Sequence, residues 1–241
     1  MDGRTYWNGI SSRYDMLYSG RWSAREDRLT ANILGRELLA TTGRRILDVG
    51  CGSGLGFRLL AGNFPFLQYS GIDFAENMIS ELKSRHPDAV AHCGEALEVM
   101  KSLEPERFDF IFSINAAMSF PQETDQILEQ VSRLLVPDGR FCLSFLNQRS
   151  LRRRLGKIEA RTEEYRTRGD CLSTEWIPAL AVDEVDFKQR LSRVGLLCQK
   201  VDYLSVLGGV WESGLSVIPE VLLQMLNPKL GHLVYFSGVK N

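Results

Sequence analysis

The sequence predicts an α/β fold built on a doubly wound, mostly parallel sheet. From Ile46 onward, strand-like and helix-like segments alternate, which is typical of βαβ units. The first strand-like run ends in an acid and a glycine-rich turn, ILDVGCGSGLG over residues 46–56. The chain has 241 residues, 44% of them hydrophobic, which is enough for one well-buried domain and too little for two large ones.

The glycine-rich turn predicts a ligand site above the end of the first strand. Gly50, Gly52, Gly54 and Gly56 occupy alternate positions. Residues without Cβ let backbone N–H groups approach a ligand closely. The start of the helix that follows favours anionic groups. We therefore expect a small, partly anionic cofactor here.

Two common glycine-rich motifs do not match this turn. A dinucleotide fingerprint needs G-x-G-x-x-G, but the third position falls on Leu55, Phe57 or Leu59 in the three possible registers. A nucleoside triphosphate loop needs Gly-Lys-Ser or Gly-Lys-Thr, and neither occurs in the sequence. An acid-x-Gly-x-Gly-x-Gly loop remains.

Further strands follow at regular intervals. Residues 69–73 form a second strand-like run that ends in Asp73, and residues 90–96 form a third that contains Glu95. Residues 108–113 and 141–145 supply a fourth and a fifth. A carboxylate at the tip of the second strand can accept hydrogen bonds from a ribose diol, which indicates an adenosine-containing ligand.

These features, in this order from Ile46 to about Leu146, resemble the class I S-adenosylmethionine-dependent methyltransferases, whose motif I matches Asp48 and the glycine loop. The resemblance implies a seven-stranded sheet with an antiparallel last strand. It also implies S-adenosyl-L-methionine as cofactor and S-adenosyl-L-homocysteine as product. A late helix over Asp183–Val194 and strands near 196–207 and 233–239 suit the end of such a sheet.

The resemblance also assigns roles to individual residues. Asp73 would bind the ribose, Phe74 or Met78 would pack on adenine, and Glu95 would bind the adenine amino group. Each acid has a plain alternative as a turn former or a helix cap. The expected cofactor-binding residues are Asp48, Gly50, Cys51, Gly52, Ser53, Gly54, Asp73, Phe74, Met78, Glu95, Ala96 and Ser113.

Two segments lie outside this core. We expect a helical N-terminal arm over residues 1–44, a core over 45–241 and an insertion at about 147–180. In similar enzymes, additions at these places form a lid over the site. The arm carries Tyr6, Trp7, Tyr14 and Trp22, which suits a lid that excludes water, although aromatic residues on a helix face often simply pack on a core.

The insertion is basic. Its arginines either bind an acidic substrate or carrier by forked contacts or form a solvated helix face. The basic residues are Arg149, Arg152, Arg153, Arg154, Lys157, Arg161, Arg166 and Arg168.

The segment after the fourth strand bears on the acceptor. It reads Asn115-Ala116-Ala117-Met118, which departs from the Asn/Asp-Pro-Pro-aromatic motif of enzymes that methylate DNA bases or glutamine. The predicted substrate-side residues are Tyr6, Tyr14, Asn115 and Met118, with loop packing as the alternative role. None of the histidines falls just after the fourth strand, where a base often lies, so no catalytic base is assigned, and the cysteines are not spaced for zinc.

Charge and hydropathy argue against nucleic acid and a membrane as partners of the chain. The net charge of −1 gives no general attraction to nucleic acid, and no run is apolar enough to cross a membrane. No signal peptide is evident, which predicts a cytoplasmic protein. We expect a methyltransferase that acts on an oxygen, nitrogen or carbon nucleophile of a small molecule by in-line displacement. The alternatives are a peptide or protein methyltransferase, or a non-catalytic adenosine-binding module. The sequence does not predict the oligomeric state.

Overall fold

A computed structural model describes residues 3–64, 67–157, 162–166, 174–208 and 217–241, with the backbone alone for 162–166 and 174–177. Arg161, Cys171, Arg168 and the side chain of Arg166 lie outside the described residues.

The described strands form one large sheet and a separate hairpin. They are β1 (Arg45–Val49), β2 (Gln68–Asp73), β3 (Val90–Cys93), β4 (Phe108–Ser113), β5 (Leu135–Asn147), β6 (Thr162–Arg166), β7 (Thr174–Pro178), β8 (Ala181–Val182), β9 (Leu196–Leu204) and β10 (Leu233–Lys240).

The large sheet has the strand order β3-β2-β1-β4-β5-β10-β9. The first five strands in this order pair in parallel, and β10 is antiparallel to both β5 and β9. This confirms the predicted doubly wound sheet with an antiparallel last strand. The two-residue β8, which the sequence did not predict, adds a parallel pairing to β5.

Helices cover both faces of the sheet and form the N-terminal arm. They are α1 (Gly3–Ile10), α2 (Tyr14–Leu17), α3 (Arg21–Leu39), α4 (Leu55–Ala61), α5 (Glu76–Arg85), α6 (Ala96–Ser102), α7 (Thr124–Leu134), α8 (Leu151–Gly156), α9 (Glu184–Arg193) and α10 (Val217–Leu226).

Local signals explain several helix ends. The Asp183 side chain accepts a hydrogen bond from the backbone N–H of Val185 at 2.9 Å, which caps α9. Helix α5 carries Glu76 in its first turn and Lys83 and Arg85 in its last turn, charges that complement the helix dipole.

The core has one layer on each face of the sheet. On one face α6, α7 and α9 bury apolar side chains such as Met100, Val131 and Phe187. On the other face α3 and α5 do the same with Leu34 and Leu82. The layers hold β1, β2 and β4 rigidly side by side, so their carboxyl ends form a fixed edge.

In the described part of the chain, no helix is both long and apolar enough to cross a membrane.

Candidate functional site

A cleft of about 740 Å³ opens at the carboxyl edge of the parallel strands. It lies where β1 pairs with β2 on one side and β4 on the other, the switch point at which open α/β sheets bind ligands. Many of the predicted residues meet there: Tyr14, Gly50, Cys51, Gly52, Ser53, Asp73, Phe74, Met78, Glu95, Ala96, Asn115 and Met118.

Backbone hydrogen bonds fix the glycine loop between β1 and α4 to the neighbouring strand. The N–H groups of Gly50 and Cys51 both donate to the carbonyl of Ile72, at 2.8 and 3.0 Å. Gly52 has φ +50°, and a Cβ built on it would meet nothing within 4 Å. The missing side chain therefore leaves space beside the backbone of this lining residue.

Asp73 at the tip of β2 fixes the loop. One carboxylate oxygen accepts from the N–H of Gly52 and the other from the N–H of Ala75, both at 2.9 Å. Burial raises the pKa of this carboxyl, and the two N–H bonds oppose that rise. Asp73 is buried yet lines the cleft, so it can accept further hydrogen bonds from a ligand.

Glu95, at the start of α6, faces the N-terminal arm. It occupies the N-cap position but makes no side-chain cap hydrogen bond, so the capping alternative is not observed. Instead, Glu95 Oε1 accepts from Arg4 Nη2 at 2.6 Å. Arg4 also donates to the carbonyl of Phe74 at 2.9 Å and stacks 5.5 Å from the centre of its ring.

Three predicted cofactor-binding residues are not among those lining the cleft. Asp48 is fully buried beneath the loop and accepts from the hydroxyl of Tyr69 at 2.9 Å. Burial raises the pKa of Asp48 to about 8. Gly54 faces Leu82 at the start of α4, and Ser113 is fully buried at the end of β4. None of these three residues faces the cleft.

The arm is tied to the glycine loop and to α5. Asp15 on α2 accepts a hydrogen bond from Ser53 Oγ at 3.0 Å and forms ion pairs with Arg58 and Arg85. On α1, Asn8 Oδ1 accepts from the N–H of Asn77 at 3.0 Å. These contacts seat the arm over the cleft.

Of the two arm tyrosines predicted on the substrate side, one lines the cleft and the other does not. Trp7 and Tyr14 line it. Tyr6, a predicted substrate-side residue, does not line it, because its ring is buried against Ala75 and Met78. Tyr6 therefore packs on the core of the arm rather than facing a ligand.

The turn after β4 has an unusual backbone. Asn115 and Ala116 have φ of +52° and +58°, a left-handed conformation that costs energy for residues with a Cβ. The N–H of Ala116 donates to Ser144 Oγ at 2.8 Å, and the Asn115 side chain hydrogen-bonds the hydroxyl of Tyr14. The turn thus directs Asn115 toward the arm and the cleft.

Sequence reasoning missed part of the lining. No motif marks these residues, and they meet the cleft only through the packing of the arm, the turn after β4 and the insertion. They include Arg4, Phe120, Gln122, Glu123 and Pro178.

Comparisons with known proteins agree with this geometry. Residues 47–141, from β1 into β5, match the family model of a methyltransferase domain. These residues therefore form a methyltransferase domain, and the glycine loop and strand order of the chain are similar to those of class I S-adenosylmethionine-dependent methyltransferases. The match agrees with the family, fold and cofactor expected from the sequence.

Two relatives of the chain bear names that state which acceptor they methylate. A dTDP-3-amino-3,6-dideoxy-alpha-D-glucopyranose N,N-dimethyltransferase from Streptomyces fradiae is 27% identical over 56% of this chain and 52% of the relative. A malonyl-[acyl-carrier protein] O-methyltransferase from Methylococcus capsulatus is 34% identical over 44% of this chain and 39% of the relative. The chain therefore matches about half or less of these relatives.

Solved structures share the fold. A SAM dependent methyltransferase from Archaeoglobus fulgidus has a TM-score of 0.60 at 17% identity and covers 89% of this chain and 94% of its own. The [4+2]-cyclase SpnF has a TM-score of 0.65 at 14% identity and covers 99% and 96%. At these identities the likeness concerns the fold alone.

The residues of the cleft fit the family's cofactor. The missing side chain of Gly52 leaves space that a Cβ would fill. Carboxylates at the ends of β2 and β3, Asp73 and Glu95, line the same cleft as the apolar side chains of Phe74 and Met78. A nucleoside that presents hydroxyls, an amino group and a flat ring finds acceptors and an apolar surface there.

Proposed function

We propose that the chain is an S-adenosylmethionine-dependent methyltransferase that acts on an oxygen, nitrogen or carbon nucleophile of a small molecule. The observation that carries this proposal is the link between Asp73 and Gly52. A carboxylate at the tip of β2 holds the N–H of the loop at 2.9 Å, while the loop leaves open space beside it. This arrangement suits a nucleoside bound at one end and an amino acid bound at the other.

Individual residues take the following proposed roles. Asp73 accepts hydrogen bonds from the ribose hydroxyls, and Glu95 accepts one from the adenine amino group. Phe74 or Met78 packs on the adenine ring. Residues 50–53 surround the amino-acid portion. In this proposal, residues 1–44 are the N-terminal arm, of which α1 and α2 cover the site while α3 packs on the sheet. Residues 45–241 are the core, and the insertion at about 147–180 completes the lid.

The chemistry requires position more than a dedicated base. When bound, S-adenosylmethionine supplies a methyl group on sulfur: an electron pair of the acceptor forms the new bond to carbon, the carbon–sulfur pair stays on sulfur, and the acceptor releases a proton. The protein's part is to align the acceptor, which is worth roughly 7–11 kcal/mol of the barrier in well-oriented systems. The aromatic rings of Trp7, Tyr14 and Phe120 line the cleft and exclude water from the place where the methyl group is transferred.

In this proposal the proton that the acceptor releases passes to solvent. No histidine is found among the described residues that line the cleft. Burial raises the pKa of the Tyr14 hydroxyl, so Tyr14 stays neutral and can position an acceptor but not act as a ready base. This favours acceptors that are nucleophilic without strong activation.

A small acceptor is favoured by the arm, whose contacts with Ser53, Asn77 and Glu95 roof the cleft. One relative is an N,N-dimethyltransferase of a dTDP-linked amino sugar and another is an O-methyltransferase of malonyl-[acyl-carrier protein], so both nitrogen and oxygen acceptors are candidates. A peptide or protein acceptor would need a wider opening. A cytoplasmic location remains a prediction from the sequence.

Calorimetry with S-adenosylmethionine and S-adenosylhomocysteine tests the proposal. We expect one site per chain for each compound. A second assay then follows the transfer of a labelled methyl group to a panel of small amines, alcohols and acids. It distinguishes an active methyltransferase from a protein that only binds the cofactor. The distinction is needed because the fold also occurs in a cyclase. The absence of binding at millimolar concentrations would contradict the proposed function.

A further inference from the structure

The part of the cleft not assigned to the methyl donor has a distinct chemistry. We call it the acceptor half, and it is lined by Trp7, Tyr14, Asn115, Phe120, Glu123 and Pro178. These residues come from the arm, the segment between β4 and α7, and the end of β7. Trp7, Tyr14 and Phe120 pack against the cluster that contains Ala75 and Met78, so this half adjoins the tip of β2.

Aromatic rings form much of this half. The ring centres of Trp7 and Phe120 are 5.8 Å apart with planes at 74°, and those of Trp7 and Tyr14 are 6.0 Å apart at 67°. Rings packed edge to face in this way turn their faces in different directions. The face of an aromatic ring carries partial negative charge, and it attracts cations within about 6 Å.

The charged residues add to the same preference. The described residues that line the whole cleft include three acids, Asp73, Glu95 and Glu123, and one base, Arg4. Arg4 is already paired with Glu95. The charged side chain in the acceptor half is that of Glu123, which forms no ion pair with any described residue.

Glu123 also has a structural role available to it. It precedes the first turn of α7, where an acid is favoured by the helix dipole. However, its side chain makes no cap hydrogen bond, so its carboxylate is not committed to the helix backbone. It is exposed on the wall of the cleft, with Phe120 three residues before it in the same segment.

We infer that the acceptor half binds an amine-bearing acceptor, with the aromatic rings of Trp7, Tyr14 and Phe120 and the carboxylate of Glu123 recognising its nitrogen. This deepens the proposed function and rests on it. A carboxylate acceptor would instead meet ring faces and an acid of its own sign, with no unpaired base among the described lining residues to offset the repulsion. Of the nitrogen and oxygen acceptors left open above, the cleft chemistry selects nitrogen.

Binding of three matched probes tests this without relying on turnover. The probes are benzyltrimethylammonium, benzyl alcohol and phenylacetate, which present a cation, a neutral group and an anion on one ring. Each is titrated by saturation-transfer NMR into the full chain, with S-adenosylhomocysteine present. We expect the cation to bind about tenfold more tightly than phenylacetate, as cation–π contact and one carboxylate would give.

Two variants locate the binding. Glu123→Gln should weaken the cation about fivefold and leave phenylacetate no weaker, because it removes the charge alone. Phe120→Leu should weaken the cation as well, by removing a ring face. Glu129→Gln is the matched control, since this exposed residue lies on α7 outside the cleft, and it should change neither affinity.

The outcomes separate the two proposals. Tighter binding of phenylacetate, no saturable binding of the cation while S-adenosylhomocysteine binds, or cation binding insensitive to both Glu123→Gln and Phe120→Leu would overturn the inference and leave the proposed function intact. Failure of S-adenosylhomocysteine itself to bind would overturn the proposed function, and the amine acceptor with it.

Discussion

Asp15 of the N-terminal arm and Ser53 of the glycine loop are joined by a hydrogen bond of 3.0 Å from the serine hydroxyl to the carboxylate. Because Ser53 lines the cleft, this bond couples the seating of the arm to the shape of the cofactor site. Asp15→Asn should weaken binding of S-adenosylhomocysteine by about fivefold, the effect of roughly 1 kcal/mol expected for a partly exposed charged contact. Calorimetry measures it. Asp186→Asn, on the exposed side of α9, is the control, and equal affinities for the two variants would show that the arm does not influence the site.

Gly50 and Gly52 should respond differently to alanine. A Cβ on Gly50 would lie 2.4 Å from the Cβ of Ala117, whereas a Cβ on Gly52 would meet nothing within 4 Å. Gly50→Ala should destabilise the fold by about 2–4 kcal/mol through overpacking and a positive φ. Gly52→Ala should cost only about 1–2 kcal/mol of stability but lower cofactor affinity at least about tenfold by filling the cleft. Denaturant unfolding and calorimetry, run on both variants, separate the two effects. A Gly52→Ala protein that binds normally would remove the loop from the proposed site.

Asp73→Asn tests the ribose assignment. The change keeps the size of the side chain but replaces one acceptor oxygen with a donor. Since the carboxylate already accepts from Gly52 and Ala75, the variant should lose some loop order as well as ligand contacts. We expect a loss of cofactor affinity of about 1.5–3 kcal/mol, typical of hydrogen bonds to a charged group. An unchanged dissociation constant, in a variant with native circular dichroism, would refute the assignment.

Glu95 and Arg4 form an ion pair whose side chains are both exposed. Exposed pairs contribute about 0–1 kcal/mol, so Arg4→Gln should leave the free energy of unfolding nearly unchanged. If Glu95 binds adenine, Glu95→Gln should lower affinity for S-adenosylhomocysteine several-fold, while Arg4→Gln should change it less. Calorimetry measures the loss of affinity for S-adenosylhomocysteine in each variant, and the comparison of the two losses tests the assignment. A larger loss from Arg4→Gln would place the recognition on the arm instead.

Asp48 predicts a pH dependence of stability. Burial raises its pKa in the folded protein to about 8, from an ordinary value of 3.8. Between these values the folded state keeps a proton that the unfolded state releases, so the free energy of unfolding falls as pH rises from about 4 to 8. Asp48→Asn stays neutral throughout and should remove this part of the slope, up to about 1.4 kcal/mol per pH unit. Urea unfolding at several pH values measures it, and parallel curves for the two proteins would contradict the prediction.

The sequence predicted the fold, and it predicted that the glycine loop and the acids after β2 and β3 lie at one edge of the sheet, because both depend on local signals. The glycine spacing, the acids after β2 and β3, and the periodic apolar residues of α5 and α9 are each readable within about ten residues. The late helix predicted over Asp183–Val194, for example, forms as α9 over Glu184–Arg193, with Asp183 and Val194 as its caps. The same reading placed Asp48 in the site, yet a strand's last acid can point under the loop as easily as over it.

The acceptor side was less predictable because it is assembled from distant segments. Its residues come from the arm, the segment between β4 and α7, and the end of β7, and none of these segments carries a motif that predicts the other two. The arm aromatics showed helical spacing, but spacing alone did not tell which ring would face the cleft: Trp7 does and Tyr6 does not. The left-handed Asn115 and Ala116 gave no sign at all, because these residue types do not require positive φ.

The close approach of Gly50 to Ala117 has a practical consequence for redesign. Mutant libraries meant to broaden the range of acceptors would naturally include position 117, beside the turn after β4. Any larger residue there would press on Gly50 and disturb donor affinity along with acceptor choice. Glu123, farther along the same segment, is exposed on the wall of the cleft and offers a place where acceptor selectivity can be altered without pressing on the glycine loop.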